Sequence, residues 1–121
     1  MGQGIVPSLE LFEHVQQHYR YFQAMLPGHT GEVLWEAAQT ALSKNIEQAL
    51  TTIYAEKPSP AIPWTFIAQY LAGAFLTLLR WWLKAEMPYP PERMEMIFQQ
   101  LALPGMRSTV EGERVSQYIS L

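Results

Sequence analysis

From Pro63 to Glu86 the chain reads PWTFIAQYLAGAFLTLLRWWLKAE, a stretch in which polar residues are few and regularly spaced. At about 100° of rotation per helical residue, Phe66, Gln69, Gly73, Thr77, Arg80 and Lys84 fall in one narrow arc. Trp64, Ile67, Ala68, Leu71, Ala72, Phe75, Leu78, Leu79, Trp81 and Trp82 spread over nearly all the rest. The pattern predicts a helix that is apolar on most sides, stopped by Met87-Pro88-Tyr89-Pro90-Pro91. Such a helix belongs in a bilayer or in the middle of a protein core. Gln69 and Arg80 interrupt its apolar runs, and Met1 to Pro7 lacks a basic start and an apolar core, so the expectation is burial in protein, with no membrane. A chain this short has little material to wrap one helix on three sides. The missing wall is therefore expected to be a second copy, approached closely over the small residues Ala68, Ala72, Gly73 and Ala74.

Three further helices follow from the same reading. Ser8 can cap a helix from Leu9 to Leu26, with Pro27-Gly28 as its stop. On its projection Tyr21, His14, Met25, His18, Leu11, Phe22, Val15, Leu26, Tyr19 and Phe12 occupy half the circumference, opposite Glu13, Gln16, Gln17, Arg20 and Gln23. Both histidines are thus expected to face inward. Thr30 can cap a second helix from about Gly31 to Tyr54, whose inward face carries Leu34, Leu42, Ile46, Leu50 and Ile53. The prolines at 58, 60 and 63 make the next stretch a linker. The last helix runs from Pro91 to about Ala102 with Met94, Ile97, Phe98 and Leu101 as its stripe, and Leu103-Pro104-Gly105 ends it.

No segment alternates at period two, and no internal repeat stands out. The expected fold is all-α, an antiparallel helical bundle of about four main helices that dimerises through the last two. Residues 1–8 form an N-terminal extension, 9–103 the domain, and 104–121 a C-terminal tail that orders against a partner. Length fits a single domain, and 49% apolar with 16% charged residues is the composition of a packed globule. Zero cysteines remove disulfides, thiolate nucleophiles and cysteine-type zinc sites. A net charge of −3 with scattered Lys and Arg gives no footprint for nucleic acid, so no nucleic acid binding is expected of this chain alone.

Phe66-Ile67-Ala68-Gln69-Tyr70-Leu71-Ala72-Gly73-Ala74, then Leu79-Arg80-Trp81-Trp82-Leu83, Glu86-Met87-Pro88-Tyr89 and Pro91-Glu92-Arg93-Met94, resemble the C-terminal domain of TetR-like bacterial transcriptional regulators. Leu11-Phe12-Glu13-His14-Val15 with Tyr19-Arg20 adds to the resemblance, which covers Leu9 to Leu103. It implies a cytoplasmic homodimer whose final two helices pair with their copies in a four-helix interface, and earlier helices that surround a pocket for a small-molecule effector. Two departures stand out. Pro90 occupies the position where members often carry a capping Ser, and the family's N-terminal helix-turn-helix has no counterpart in these residues.

Chemistry-bearing constellations are sparse. His14 and His18, four apart on one face, could ligate a metal if a carboxylate from another helix completed the site, but no local third ligand is evident, so neither metal nor cofactor is expected. With no GxSxG elbow, P-loop or inward pair of carboxylates, no catalytic residue is assigned, and the protein is expected not to be an enzyme. The candidate ligand site is His14, His18, Tyr21, Phe22, Trp35, Trp64 and Tyr70, aromatic bodies with a few polar tips suited to a small apolar or aromatic ligand. The candidate dimer interface is Ala68, Ala72, Phe75, Leu79, Trp82, Met94, Ile97, Phe98 and Leu101. The expected function is the effector-sensing and dimerisation domain of a TetR-like regulator. The alternative is a stand-alone helical interaction module without a ligand.

Overall fold

The computed structural model describes residues 5–56 and 60–111. It contains α1 (Ser8–Gln17), α2 (Tyr19–Met25), α3 (Gly28–Ile53), α4 (Trp64–Lys84) and α5 (Pro91–Glu111), with no strand among the described residues. The all-α class is as expected. Neighbouring long helices run antiparallel. Along the α3–α4 seam Glu32 lies by Arg80, Gln39 by Gln69 and Glu47 by Thr65, while Phe75 meets Phe98 and Tyr70 meets Ala102 across α4 and α5. Beyond these seams, α1 packs mainly on α5.

The core is an aromatic cluster inside an aliphatic shell. Phe12 from α1 lies 5.0 Å from Phe75 and meets Trp82 edge-on at 5.3 Å, and Phe75 meets Phe98 edge-on at 5.6 Å. These are the tilted and T-shaped geometries that aromatic quadrupoles favour. The indole N–H of Trp82 donates to the Tyr89 carbonyl at 2.8 Å, so the largest buried side chain leaves no polar atom unpaired. Ile5 and Val6 are buried in this core, so the extension expected over 1–8 contributes packing from residue 5 onward.

One chain therefore buries the core-facing side of α4 by itself. Ile67, Ala68, Leu71, Ala72, Phe75, Leu79, Trp82 and Leu83 are all covered. That explains how a helix long and apolar enough to cross a membrane by composition is accommodated in a small bundle, while the side that carries Phe66, Tyr70 and Trp81 stays bare. Trp81, assigned by pattern to the apolar side, is instead 49% exposed. Phe66, Gln69, Thr77 and Lys84 are exposed, in agreement with the narrow arc read from the sequence.

Helix boundaries differ from expectation in four places. The helix expected over Leu9 to Leu26 is two helices, because His18 adopts φ −119°, ψ 33° and its N–H is shared between the carbonyls of His14 and Val15. Neither Pro nor Gly marks this break. It separates a segment packed on α5 from one packed on α3 and α4, so tertiary contacts set it. The start of α1 is Ser8 itself, preceded by Pro7, and the Ser8 hydroxyl donates to Glu95 Oε2 at 3.3 Å instead of capping.

The third helix begins at Gly28, with φ +83°, so Thr30 lies inside it and caps nothing. Three residues after Gly28, a Cβ at Gly31 would stand 2.1 Å from the Leu26 carbonyl oxygen, so only glycine lets α3 start this close to the end of α2.

The end of α4 is a Schellman turn: Met87 N–H bonds to Trp82 O at 2.8 Å and Glu86 N–H to Leu83 O at 3.1 Å. Glu86 and Met87 hold φ of 64° and 54° without the glycine such a turn favours. The start of α5 takes Pro91 in its first turn, and the Pro90 carbonyl accepts from Arg93 and Met94. The helix then runs through Pro104 to Glu111, where the sequence predicted a stop at Leu103. Ala102, Leu103 and Met106 are buried on either side of the proline, and their packing outweighs the backbone hydrogen bond it removes. The rest of the expected tail, from Gly112, lies outside the described residues.

Candidate ligand-binding site

The corner where α1, α2, α3 and α4 meet is not filled. It holds a cavity of about 450 Å³, within the range of small-molecule sites. Its walls can be taken helix by helix. Leu11, His14 and Val15 come from α1, then Tyr21, Phe22, Met25 and Leu26 from α2 and the turn that follows it. The α3 wall is Leu34, Trp35, Ala38, Ala41, Leu42 and Asn45, and α4 closes the base with Phe75, Leu76 and Leu79.

Local structure explains why space remains here. The α3 wall presents alanine at 38 and 41, one helical turn apart, where larger side chains would close the gap. The opposite wall, α2, is seven residues long and buries none of them completely. It is anchored at one point by Gln23, whose Nε2 donates to the Leu83 carbonyl at 3.3 Å. Tyr21 is 62% exposed and stands edge-on to Phe22, so this side of the cavity is lined but not sealed.

Among the described residues, no Asp, Glu, Lys or Arg side chain lines the cavity. Beside the Trp35 wall stands Arg80, whose guanidinium lies 5.6 Å from the centre of the Trp35 ring, with Glu32 Oε1 at 3.7 Å. Its Nε is buried without a hydrogen-bond partner among the described residues, and the guanidinium as a whole gains a cation–π contact with Trp35. The α3–α4 seam continues with Gln39 Nε2 donating to Gln69 Oε1 at 3.1 Å and Thr65 donating to Glu47 Oε2 at 3.0 Å. At the outer end of α2, Arg20 Nε donates to the Tyr19 hydroxyl at 3.3 Å, and that bond raises the already high pKa of the guanidinium.

Four of the seven expected ligand residues, His14, Tyr21, Phe22 and Trp35, come together on this cavity. Three do not. His18 lies on an outer hollow with Gln17, Tyr19, Arg20 and Tyr21, because the break at that residue turns it away. Trp64 stacks on Tyr54 at 5.5 Å at the far end of α4. Tyr70 faces α5, where its hydroxyl donates to the Ala102 carbonyl. Neither histidine is buried, and the inward assignment fails for His18, while His14 reaches the cavity from its edge.

Most of the residues expected at a dimer interface lie inside the single chain. Ala68, Ala72, Phe75, Leu79, Trp82, Met94 and Phe98 are buried in the chain's own core, where a partner could not reach them, while Ile97 is half-buried and Leu101 is 68% exposed. Phe75 and Leu79 line the cavity instead. Pattern reading missed the α3 wall beyond Trp35, although the series Leu34, Ala38, Ala41, Leu42, Asn45 is a helical stripe of small and apolar residues that could have flagged it.

Residues 8–103 match the family model for the C-terminal region of TetR-like transcriptional regulators. The chain belongs to that family. The match runs from the first residue of α1 to the buried Leu103 in α5, and so takes in every wall of the cavity. No curated protein and no solved structure shows a significant match to the chain. In this family the C-terminal region is the ligand-binding and dimerisation part of a regulator and is generally non-enzymatic.

Proposed function

We propose that this chain is the effector-sensing and dimerising part of a TetR-like regulator, and that the cavity between α1, α2, α3 and α4 is where the effector sits. The observation that carries the reading is the cavity itself, about 450 Å³ of largely apolar space with imidazole and carboxamide groups at His14 and Asn45. Those walls favour an uncharged, apolar or aromatic molecule, because an ion brought there would lose its hydration and find no countercharge. The protein works in the bacterial cytoplasm, carries out no catalysis and does not bind DNA through this chain, whose net charge of −3 offers little to phosphate.

Dimerisation uses the side of α4 and α5 that the core leaves bare. Phe66, Tyr70, Thr77 and Trp81 lie within about 60° of one another on the helical projection of α4, and Phe66, Tyr70 and Trp81 are 65%, 48% and 49% exposed. Tyr89 from the turn stacks near Trp81, and Leu101 with Ile97 adds the α5 contribution. A stable homodimer formed there buries about 2,000 Å² or more in total.

A thermal-shift screen of uncharged aromatic and aliphatic compounds tests the sensor. A true effector at a hundred times its dissociation constant stabilises the protein by about 2.7 kcal/mol, and Phe22→Ala removes that shift while sedimentation still reports a dimer. The same bare face would also serve a helical interaction module with no ligand. That reading takes over if the dimer forms and no compound shifts the melting temperature.

A further inference from the structure

His14 reaches the cavity from one side, but its neighbour His18 lies outside it, and the two imidazoles together form a pair that the sensor reading does not use. His14 is in the last turn of α1, and His18 is the residue at which α1 gives way to α2. Their ring centres are 4.8 Å apart with planes inclined by 55°. Both residues are exposed, and neither imidazole has a hydrogen-bond partner among the described residues.

That separation is compatible with chelation of one ion by both rings. An imidazole nitrogen binds a divalent transition metal at about 2.0–2.1 Å, which sets the ring centre about 3.2 Å from the ion. Two such rings subtending an angle between about 90° and 109° at the ion have centres about 4.5–5.2 Å apart. The observed 4.8 Å lies inside this window. A buried pair would have needed a third protein ligand, and no cluster of three His, Asp or Glu is present among the described residues. An exposed pair does not, because water completes the coordination shell.

We propose that His14 and His18 together chelate a divalent cation of the zinc, nickel or copper class, which prefers imidazole nitrogen. The nearby cation, Arg20, is hydrogen-bonded to Tyr19 and lies over its ring, 5.9 Å from the centre. The bound ion ties the last turn of α1 to the residue at the break. It thereby fixes the direction in which α2 leaves, and α2 carries Tyr21 and Phe22 to the cavity wall. This inference does not depend on whether the cavity takes an effector.

The test is calorimetric titration of the full chain, free of any affinity tag and stripped with chelator, with Zn²⁺ and Ni²⁺ separately at neutral pH. The expected result is saturable binding of one ion per chain with a dissociation constant of about 100 µM or tighter, weakened about tenfold or more in His14→Ala and again in His18→Ala. His29→Ala, on α3, serves as the control and binds as the unaltered chain does. Both histidines are exposed, so the variants keep their fold, which circular dichroism verifies. Binding weaker than about 100 µM, or binding that survives either substitution, overturns the proposal.

Discussion

The two sides of α4 make opposite use of the same kind of side chain. Towards α1 and α5, Phe12, Phe75, Trp82 and Phe98 interlock with edge-to-face contacts and bury completely. Towards α2 and α3, Phe22, Trp35 and Leu76 are equally apolar yet surround a void. Phe75 belongs to both, with one part of its ring in the cluster and another on the cavity floor. The difference lies in the partner helices. On the packed side α1 and α5 bring large side chains to every layer. On the open side α3 brings alanines and α2 is too short to reach across. Apolar content sets how much surface seeks burial, and complementarity of the facing helices decides whether it closes.

The contrast can be broken most forcefully on the packed side. Phe12→Ala leaves a hole among rings that cannot relax and should cost about 3–5 kcal/mol in denaturant unfolding, whereas Phe22→Ala, at a wall that is already open, should cost less than half as much. Gly31→Ala comes next, because its methyl would meet the Leu26 carbonyl at 2.1 Å. We expect a loss of about 1–3 kcal/mol and, since the clash is with the end of α2, a weakening of ligand binding beyond what stability alone explains.

Filling the void sharpens the comparison from the other direction. Ala38→Leu adds apolar volume to a lining position and should raise stability by about 0.5–2 kcal/mol while abolishing the effector-induced thermal shift. The equivalent enlargement at Ala72, fully buried on the packed side, should lower stability instead. The smallest effect concerns the turn that closes the packed hairpin. Glu86→Gly relieves a positive φ and should add about 1 kcal/mol or less, read as a rise in melting temperature with no change in ligand response.

The sequence by itself determined the all-α class, the existence and approximate span of the long helices, and the polar arc of α4 from Phe66 to Lys84. These follow from helical periodicity and from proline and glycine punctuation, which act over a turn or two and are written in neighbouring residues. It also supplied four of the cavity residues, His14, Tyr21, Phe22 and Trp35, since each sits on an apolar arc that must face the bundle. Which neighbour an apolar arc faces is not written locally. Trp64 and Tyr70 share the chemistry of a ligand site, but their places along α4 put one against Tyr54 and the other against α5. The break at His18 has no local breaker residue, and the passage of α5 through Pro104 overrides one that is present. Both come from side chains packing against helices distant in sequence. Only the tertiary structure decided which side of α4 its own chain covers and which stays bare, because burial depends on the summed surface of all the helices packed together, and no single stretch carries that sum.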